Sequence, residues 1–504
     1  MKHLLVIGLL LLLSCLFSAE IKDGQLYLEV FILNGQQINV STPGNIIISE
    51  IGSPVSRNYQ GNITLQLVSK DTEVMWGLIN RTEVIVPDSV SIYADENIKE
   101  KFIWKDGKLA VQYEKLTFED KYFPSQEAAE KYAAETGYSL NQIKSIPIQN
   151  AGLKVKNGNG VEHFYQLPVS MICHDTTVFD QSKGDYTGTF IVKAIQGKLS
   201  LSNLLDIENY AAGVVPNEIG NLAPKEALKT QAVAARTHAV SLLLMNRHIN
   251  DGYDLCNSTH CQVHKGNFLR EPQIDKAVLD TKNIVMFYDD KIADAVYHSN
   301  CGGKTETNQN AWSGKPLPYL QGVACYPELD SIDLSIERNA VNWINQIPGL
   351  DGMSSWEKRS ELWDKTISRS TLEMNSGVRN PRMVTILRRG TSGRILRMKI
   401  NGSTEEIISG EFKIRQVFGG LPSSFFYFTN GAGTGTGIYS LADNISVKGK
   451  GFGHGVGLCQ VGALQRARNG WTWDEILEYY YPGITLRTDW LDINAMHLNG
   501  RDPE

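Results

Sequence analysis

Hydrophobic and polar positions follow two different patterns along the chain. From residue 20 to about 185 they alternate in short runs, such as 26–33, 62–68 and 82–86, which Gly, Pro, Asn and Asp separate. Alternation with a period of two is typical of half-buried strands. The sequence therefore predicts a strand-rich N-terminal region over residues 20–185.

From about residue 186, strands alternate with well-marked helices. Residues 223–244, which Pro224 opens and which are rich in Ala and Leu, form the strongest predicted helix. A short helix over 474–482 begins with a Thr472/Glu475 capping box, and strands are predicted at 383–387 and 395–400.

The expected fold class is therefore α+β. A mixed domain over 186–485 follows the N-terminal region, and 486–504 form a C-terminal tail. Within the mixed domain, the polar stretch 328–376 has a helical pattern and is predicted to be an insertion.

The N-terminus has the layout of a secretory signal peptide over residues 1–19. Lys2 and His3 precede an apolar run over 4–13, and small residues up to Ala19 follow. That run is only half of the ~20 residues that a membrane span needs. We therefore expect export to the cell envelope, in the periplasm or on the outer face of the membrane. Cleavage after Ala19 and lipid anchoring at Cys15 are alternatives.

The amino-acid composition and the net charge limit the kinds of binding partner that we expect for this chain. The 504 residues are 42% hydrophobic, which suffices for real cores. A net charge of −6 argues against a nucleic-acid partner. Apart from Cys15, the cysteines are too few for a disulfide scaffold, but one or two bridges or a metal site remain open. They are Cys173, Cys256, Cys261, Cys301, Cys325 and Cys459.

Glu218 is the first candidate for chemistry. Val214, Val215, Pro216 and Ile219 surround it in the sequence. Apolar surroundings raise the pKa of a carboxyl group by desolvation, and a general acid that works near neutrality needs a raised pKa. The alternative is an exposed glutamate in a loop.

Two cations on the predicted helix are candidates for binding. Lys229 and Arg236 are seven residues apart and hence on one face, with the small Ala232 between them. They would line a shallow groove. A solvated basic face is the alternative.

A short loop after this helix combines thiols and imidazoles. Cys256 and Cys261 lie close in sequence to His248, His260 and His264. Thiolates with imidazoles suit zinc, whereas a local disulfide is an equal alternative in an exported protein. A second pair, formed by Cys301 and Cys325, could be bridged or add a ligand.

Near the C-terminus, glycine occupies every second position from 449 to 457. If this stretch is a strand, one face is bare backbone and Lys450, Phe452 and His454 share the other. A bare face permits close approach by a polymer or by another strand.

Taken together, these segments resemble the SpoIID/LytB family of bacterial sporulation and cell-wall proteins over residues 186–485. The blocks that carry the resemblance stand in family order. They are Glu208-Asn-Tyr210, Gly213-Val-Val-Pro-Asn-Glu218, Glu226-Ala-Leu-Lys-Thr-Gln-Ala-Val-Ala-Ala-Arg236, Cys261-Gln262, Tyr297-His-Ser-Asn-Cys-Gly-Gly303, Trp312 with Pro318-Tyr-Leu320, Ser392-Gly-Arg394, Gly453-His-Gly-Val-Gly457 with Gln460, and Tyr480-Tyr-Pro-Gly483.

The resemblance implies a lytic transglycosylase, which cleaves the bond from N-acetylmuramic acid to N-acetylglucosamine and leaves a 1,6-anhydro sugar. The substrate would be glycan strands stripped of stem peptides. Glu218 would act as acid and then as base, so no second carboxylate is needed, unlike in most glycoside hydrolases. Lys229, Arg236, His454 and Gln460 would bind the substrate. No cofactor is required.

The sequence departs from the family pattern at two positions. His264 replaces a tyrosine, and Cys459 replaces a serine before Gln460. Some family members hold zinc with one histidine and two cysteines. Cys256 and Cys261 match those cysteines, and His248 is the candidate histidine, although its spacing does not transfer cleanly. A structural zinc and a disulfide therefore both remain open.

Two rival functions remain. Members of the LytB branch enhance a cell-wall amidase, so this chain could be a non-catalytic protein that binds peptidoglycan glycan strands and has such an amidase as its partner. A zinc peptidase is disfavoured because the chain has no His-Glu-x-x-His motif.

Overall fold

The computed structural model describes residues 19–491 except for 23, 54, 70–73, 88–100, 106–107, 124–129, 131–142, 148–150, 161, 181, 249, 313, 347–352 and 431–434. The predicted leader up to residue 18, with Cys15, lies outside the described residues. Among the described residues, no helix combines the length and apolarity needed to cross a membrane.

The chain forms two compact units. Of the described residues, unit 1 contains 19–206 and 246–268, and unit 2 contains 207–245 and 269–491. Helices and strands both contribute, so the predicted α+β class is confirmed.

Unit 1 is built from strands, as the alternating pattern predicts. The strands are β1 (Glu20–Lys22), β2 (Gln25–Gly35), β3 (Gln37–Ser41), β4 (Asn45–Glu50), β5 (Ser56–Gln60), β6 (Ile63–Ser69), β7 (Val74–Pro87), β8 (Lys101–Lys105), β9 (Lys108–Phe123), β10 (Ile143–Pro147), β11 (Ala151–Asn157), β12 (Glu162–Gln166), β13 (Val169–Phe179), β14 (Tyr186–Ile195), β15 (Lys198–Asp206) and β16 (Leu255–Cys256).

Most of these strands form one large sheet in the order β1-β2-β15-β14-β13-β3-β6-β11-β12. β4 joins β13 and carries β5, while β16 pairs in parallel with β2. A second sheet has the order β10-β7-β9-β8. In the large sheet, the inward positions of β2, such as Leu26, Leu28 and Val30, are fully buried.

The boundary between the units differs from the expected start of the mixed domain near residue 186. β14 pairs with β13, and β15 pairs with β2 from Leu199–Gly35 to Asp206–Tyr27. The two strands therefore continue the sheet of unit 1. The first helix of unit 2 begins only at Ile207.

Unit 2 contains the described helices longer than one turn. They are α1 (Ile207–Ile219), α2 (Lys225–Leu244), α3 (Pro272–Asp280), α4 (Asn308–Trp312), α5 (Glu337–Asn345), α6 (Ser355–Glu361), α7 (Arg369–Ser376), α8 (Glu411–Val417), α9 (Gln460–Arg468) and α10 (Trp473–Tyr480), with a 3₁₀ turn at Pro327–Asp330.

The strands of unit 2 form four small sheets, with the orders β18-β17-β28, β19-β27, β20-β26-β24 and β23-β22-β21-β25. These strands are β17 (Val285–Tyr288), β18 (Lys291–Ile292), β19 (Tyr297–His298), β20 (Leu362–Ser368), β21 (Met383–Arg389), β22 (Ile395–Asn401), β23 (Glu405–Ser409), β24 (Phe426–Phe428), β25 (Ile438–Ser440), β26 (Asn444–Lys450), β27 (Leu458–Cys459) and β28 (Thr485–Arg487).

α2 is the central helix of unit 2. It is the helix predicted over 223–244, and 15 of its 20 residues are buried, which is typical of a helix covered on all sides. It contacts α1, α3, α9, α10 and β17. Small buried residues such as Ala227, Ala232 and Ala235 let these neighbours approach closely.

The stretch 328–376 is more than a helical insertion. It contains α5, α6 and α7, but residues 362–368 form β20, which pairs with β26 along its whole length. Trp363 of β20 is buried and donates its indole N–H to the Gly451 carbonyl at 2.9 Å. Tertiary pairing therefore overrides the helical pattern here.

The predicted tail from residue 486 is also structured at its beginning. β28 pairs with β17, and Trp490 is fully buried with its indole N–H on the Asn283 carbonyl at 2.9 Å. Residues 492–504 lie outside the described part of the chain.

Candidate functional site

Glu218 lies in the last turn of α1 and is half-buried. Pro216 within the helix cannot donate a backbone hydrogen bond, and the Asn217 side chain donates to the Gly213 carbonyl at 2.9 Å. Gly220, with a φ of 88°, follows the helix. The glutamate is therefore neither in a loop nor fully exposed, and the buried Pro216 and Ile219 flank it.

Lys229 does not stand on an open basic face. Its Nζ lies 3.2 Å from a Glu226 oxygen and 3.7 Å from an Asp280 oxygen, and its side chain is 13% exposed. No acidic residue follows Lys229 within α2. The two carboxylates come from Glu226 in the preceding turn and from Asp280 of α3. Lys229 is therefore not part of a solvated basic face, and its contact with substrate stays a prediction.

Arg236 is fully buried and does not line a groove in this structure, and its role toward the substrate stays a prediction. Its guanidinium forms a fork with both carboxylate oxygens of Glu208, with Nε 3.1 Å from Oε1. Its Nη1 also donates to the Ile284 carbonyl at 2.9 Å. Arg236 therefore ties the first turn of α1 to α2 and to the segment before β17.

The alternating glycines do not form a strand beyond residue 450. β26 ends at Lys450, and Gly451, Gly453, Gly455 and Gly457 all have φ between 70° and 95°. Such left-handed conformations suit glycine and interrupt a regular strand. A Cβ on Gly455 would lie 2.3 Å from the Arg394 guanidinium, and one on Gly457 would lie 2.1 Å from the Val296 carbonyl oxygen.

The residues between these glycines have different environments instead of sharing one face. Lys450 is fully buried and pairs with Glu361 at 3.1 Å. Phe452 is 46% exposed. The alternating pattern predicts a common face for Lys450, Phe452 and His454. This prediction does not hold, because a glycine in a left-handed conformation at every second position interrupts the strand.

His454 is half-buried, and both of its ring nitrogens form hydrogen bonds with backbone groups. Its Nδ1 accepts from the Val456 N–H at 3.1 Å, and its Nε2–H donates to the Tyr297 carbonyl at 2.9 Å. Burial and the positive charge of Arg394 lower the pKa of His454 to about 3, so the ring is neutral near pH 7. Its ring centroid lies 4.9 Å from that of Trp312, which is 38% exposed.

Gln460 is buried at the start of α9, and its amide donates to Gln231 Oε1 at 3.2 Å. The Gln460 side chain is therefore not exposed in this structure, and its contact with substrate stays a prediction. The residue joins α9 to the central α2.

Sequence reasoning missed a buried anchor formed by Glu306 and Arg394. Glu306 accepts hydrogen bonds from Thr391 and from both the N–H and the hydroxyl of Ser392. Arg394 is fully buried and donates to the Cys301 carbonyl at 2.9 Å. The Thr307 N–H and the Asn310 side chain also donate to Glu306, but no local pattern marks its contacts with Thr391 and Ser392, which lie 85 and 86 residues away.

In unit 1, four potential metal ligands converge. One ligand atom each from His248, Cys256, His260 and Cys261 lies within 4.8 Å of the others. His248 Nε2 is 3.2 Å from Cys261 Sγ, and His260 Nδ1 is 3.7 Å from Cys256 Sγ. Tetrahedral zinc, with bonds of about 2.0–2.3 Å, holds its ligand atoms roughly 3.3–3.8 Å apart.

This cluster fits zinc and extends the predicted set of Cys256, Cys261 and His248 by His260. Both thiols are free. The carboxylate of Asp251 lies 2.6 Å from His248 Nδ1, which is the usual outer partner of a zinc-bound imidazole.

Comparisons with known proteins place parts of the chain among described families and relatives. A family model described as stage II sporulation protein, SpoIID, matches residues 195–288, and one described as a domain of unknown function, DUF8618, matches 306–457. An uncharacterized protein of Brachyspira hyodysenteriae is 30% identical over 361 residues, which cover 71% of this chain and 85% of that protein.

Two relatives from Bacillus subtilis have descriptive names. Stage II sporulation protein D is 28% identical over 300 residues, which cover 56% of this chain and 74% of the relative. A protein named amidase enhancer is 27% identical over 302 residues, which cover 54% of this chain but only 40% of the relative.

The burial of Arg236 makes a prediction about stability. Arg236→Ala should lower the free energy of unfolding by about 3–5 kcal/mol, because it leaves the Glu208 carboxylate without its partner. The double variant Arg236→Met/Glu208→Leu should lose less than that, since no charge is left unpaired. Urea unfolding of the purified chain measures both.

The matched control is Lys276→Ala, which removes the exposed pair with Asp280 and should cost less than about 1 kcal/mol. If Arg236→Ala kept wild-type stability but no longer bound glycan strands, the substrate-contact role would be supported.

Proposed function

Because the chain belongs to the SpoIID/LytB family, we propose that it is a peptidoglycan lytic transglycosylase of the cell envelope with Glu218 as its acid and base. The bond cleaved is that from N-acetylmuramic acid to N-acetylglucosamine in peptide-stripped glycan strands. The predicted leader supports export to the periplasm or to the outer face of the membrane. The observation that carries the proposal is the half-buried position of Glu218 in the last turn of α1.

The reaction needs one carboxyl group in two states. Protonated Glu218 gives its proton to the glycosidic oxygen as the bond from C1 of the muramic acid breaks. The resulting carboxylate takes the proton of the 6-hydroxyl of the same sugar, and that oxygen bonds to C1. The products are a 1,6-anhydro end and a free 4-hydroxyl, and Glu218 is protonated again.

The helix favours the protonated starting state. The C-terminal end of a helix carries partial negative charge, which disfavours an ionised carboxylate nearby. Buried apolar neighbours act in the same direction. Position and surroundings thus both support a role as general acid.

The other carboxylates of α1 and α2, those of Glu208 and Glu226, form ion pairs with basic side chains. Glu208 is held by Arg236, and Glu226 lies 3.2 Å from Lys229 and accepts the Trp473 N–H at 3.1 Å. Hydrolysis by two carboxylates needs a second group at a set distance from the acid. The engagement of Glu208 and Glu226 supports the internal mechanism instead.

The substrate-binding set changes from the one that the sequence suggested. Arg236 and Gln460 act from inside the fold as positioning residues. The exposed ring of Trp312 and the neutral ring of His454 beside it form an aromatic patch, on which the C–H face of a sugar can pack. Lys229 is the remaining charged candidate, although Glu226 and Asp280 already neutralise it.

We propose a structural zinc at His248, Cys256, His260 and Cys261, where the ion would fix the loop between α2 and α3. Within this loop, the Asp254 carboxylate accepts the Glu29 N–H at 2.7 Å and so connects the loop to β2. The proposed reaction does not use this metal.

The relative named amidase enhancer supports a second candidate function. In that case the chain would bind glycan strands and assist a cell-wall amidase without cleaving them. Wild-type protein that binds stripped strands but releases no anhydro ends would favour this alternative.

Glu218→Gln tests the catalytic assignment. The amide keeps the shape but cannot supply and recover a proton, so release of anhydro-muramic ends should fall by roughly 10²–10⁴-fold. Mass analysis of digested, amidase-stripped peptidoglycan measures the products, and a pulldown of the same strands should show retained binding. Glu271→Gln, an exposed glutamate before α3, is the matched control and should stay active. Undiminished cleavage by Glu218→Gln would remove this residue from the mechanism.

Zinc content tests the metal proposal. The purified full chain should carry zinc that Cys256→Ser loses, whereas Cys173→Ser, which changes a buried thiol of unit 1 outside the cluster, should keep it. Metal analysis after gel filtration provides the measurement. Equal zinc content in wild type and Cys256→Ser would reject this site.

A further inference from the structure

A second group of nitrogen and sulfur atoms lies in unit 2, where β19 and β27 pair. His298 and Cys459 are direct partners in this parallel pair, so their side chains project to the same side. Cys301 follows in the next turn. One ligand atom each from His298, Cys301 and Cys459 lies within 4.8 Å of the others, and all three residues are buried.

His298 is oriented as a metal ligand would be. Its Nδ1 lies 3.0 Å from the Val456 carbonyl. A carbonyl only accepts, so Nδ1 carries the proton and Nε2 has the free electron pair. Among the described residues, Nε2 has no hydrogen-bond partner although it is buried. An unsatisfied buried acceptor is destabilising, and coordination of an ion would satisfy it.

The sulfur atoms are surrounded by hydrogen-bond donors. Cys459 Sγ accepts from the N–H groups of Cys301 at 3.2 Å and Gly462 at 3.4 Å. Cys301 Sγ accepts from the Gly303 N–H at 3.2 Å. A neutral thiol is a weak acceptor, whereas a thiolate is the form that binds metals. Donors that point at the sulfur therefore fit metal-bound thiolates.

A third sulfur atom lies beside the group of three. Cys325 Sγ is 3.3 Å from Cys301 Sγ and 3.1 Å from the Tyr480 hydroxyl. A Cβ at Gly462 would lie 2.9 Å from this sulfur, so the glycine leaves room for it. Thiolates and an imidazole are the ligand types that zinc prefers, and the imidazole of His298 and the sulfur atoms of Cys301 and Cys459 converge here.

We propose that His298, Cys301 and Cys459 form a second metal site, which binds zinc or a similarly soft divalent cation. The ion would join β19, the turn that carries Cys301 and the start of α9, with Cys325 beside the site. This site is separate from the Cys256 cluster of unit 1 and has no part in the proposed reaction. Its role is to hold in place the loops that carry His454 and Gln460.

Zinc counting on the full chain tests the proposal. Wild type should hold one more equivalent of zinc than Cys459→Ser. Serine can still accept the Gly462 N–H at the start of α9, so this variant should fold, and circular dichroism checks that it does. His298→Gln should lose the same equivalent. Cys173→Ser, outside both clusters, should lose none.

Combination with Cys256→Ser separates the two sites. The double variant Cys256→Ser/Cys459→Ser should hold one equivalent less than Cys256→Ser alone. Replacement of zinc by cobalt should give thiolate-to-cobalt absorption that Cys459→Ser weakens. Unchanged zinc content in Cys459→Ser would overturn the proposal. A Cys301–Cys325 disulfide in unreduced peptides of the wild type would also overturn it.

Discussion

The buried ion pair between Arg236 and Glu208 is the interaction on which unit 2 depends most. Arg236 is fully enclosed near the middle of α2, and its fork on Glu208 fixes the first turn of α1. The same guanidinium holds the segment before β17 through the Ile284 carbonyl. Since α1 is one continuous helix from this anchor to Glu218, the orientation of the proposed acid depends on this pair. Removal of one partner would leave a buried charge and loosen that end of the helix.

A second constraint acts on the loops of unit 2. The glycines from 451 to 457 turn the backbone so that it passes within contact of the segment around residues 296–301. The buried side chains of Arg394 and Glu306 also stabilise these loops. Arg394 donates a hydrogen bond to the Cys301 carbonyl, and Glu306 accepts one from the Ser392 hydroxyl. The aromatic patch of Trp312 and His454 and the proposed sulfur-rich metal site both belong to this part of the molecule. A metal there would reinforce an arrangement that hydrogen bonds already define.

Features that depend on neighbouring residues could be predicted from the sequence. The strands of unit 1, the central α2 and the capping box of α10 follow from local periodicity and capping residues. The roles of Arg236 and Gln460 could not be predicted, because their partners lie on other elements and a helical pattern does not reveal which polar side chains are buried. The same reason explains two further differences from the predicted structure. β20 replaces a predicted helix because it pairs with β26. The glycines form turns and not a strand because the backbone there closely approaches other segments. The four residues of the proposed zinc cluster lie close together in the sequence, and the predicted set contains all of them except His260.

The central claim is that Glu218 promotes attack by the sugar's own 6-hydroxyl and not by water. Digestion of stripped glycan strands by the wild-type protein in ¹⁸O-labelled water tests this directly by mass analysis of the new ends. Internal attack predicts 1,6-anhydro ends that contain no label, because no water oxygen enters the product. Reducing ends that carry the label would show hydrolysis and contradict the account.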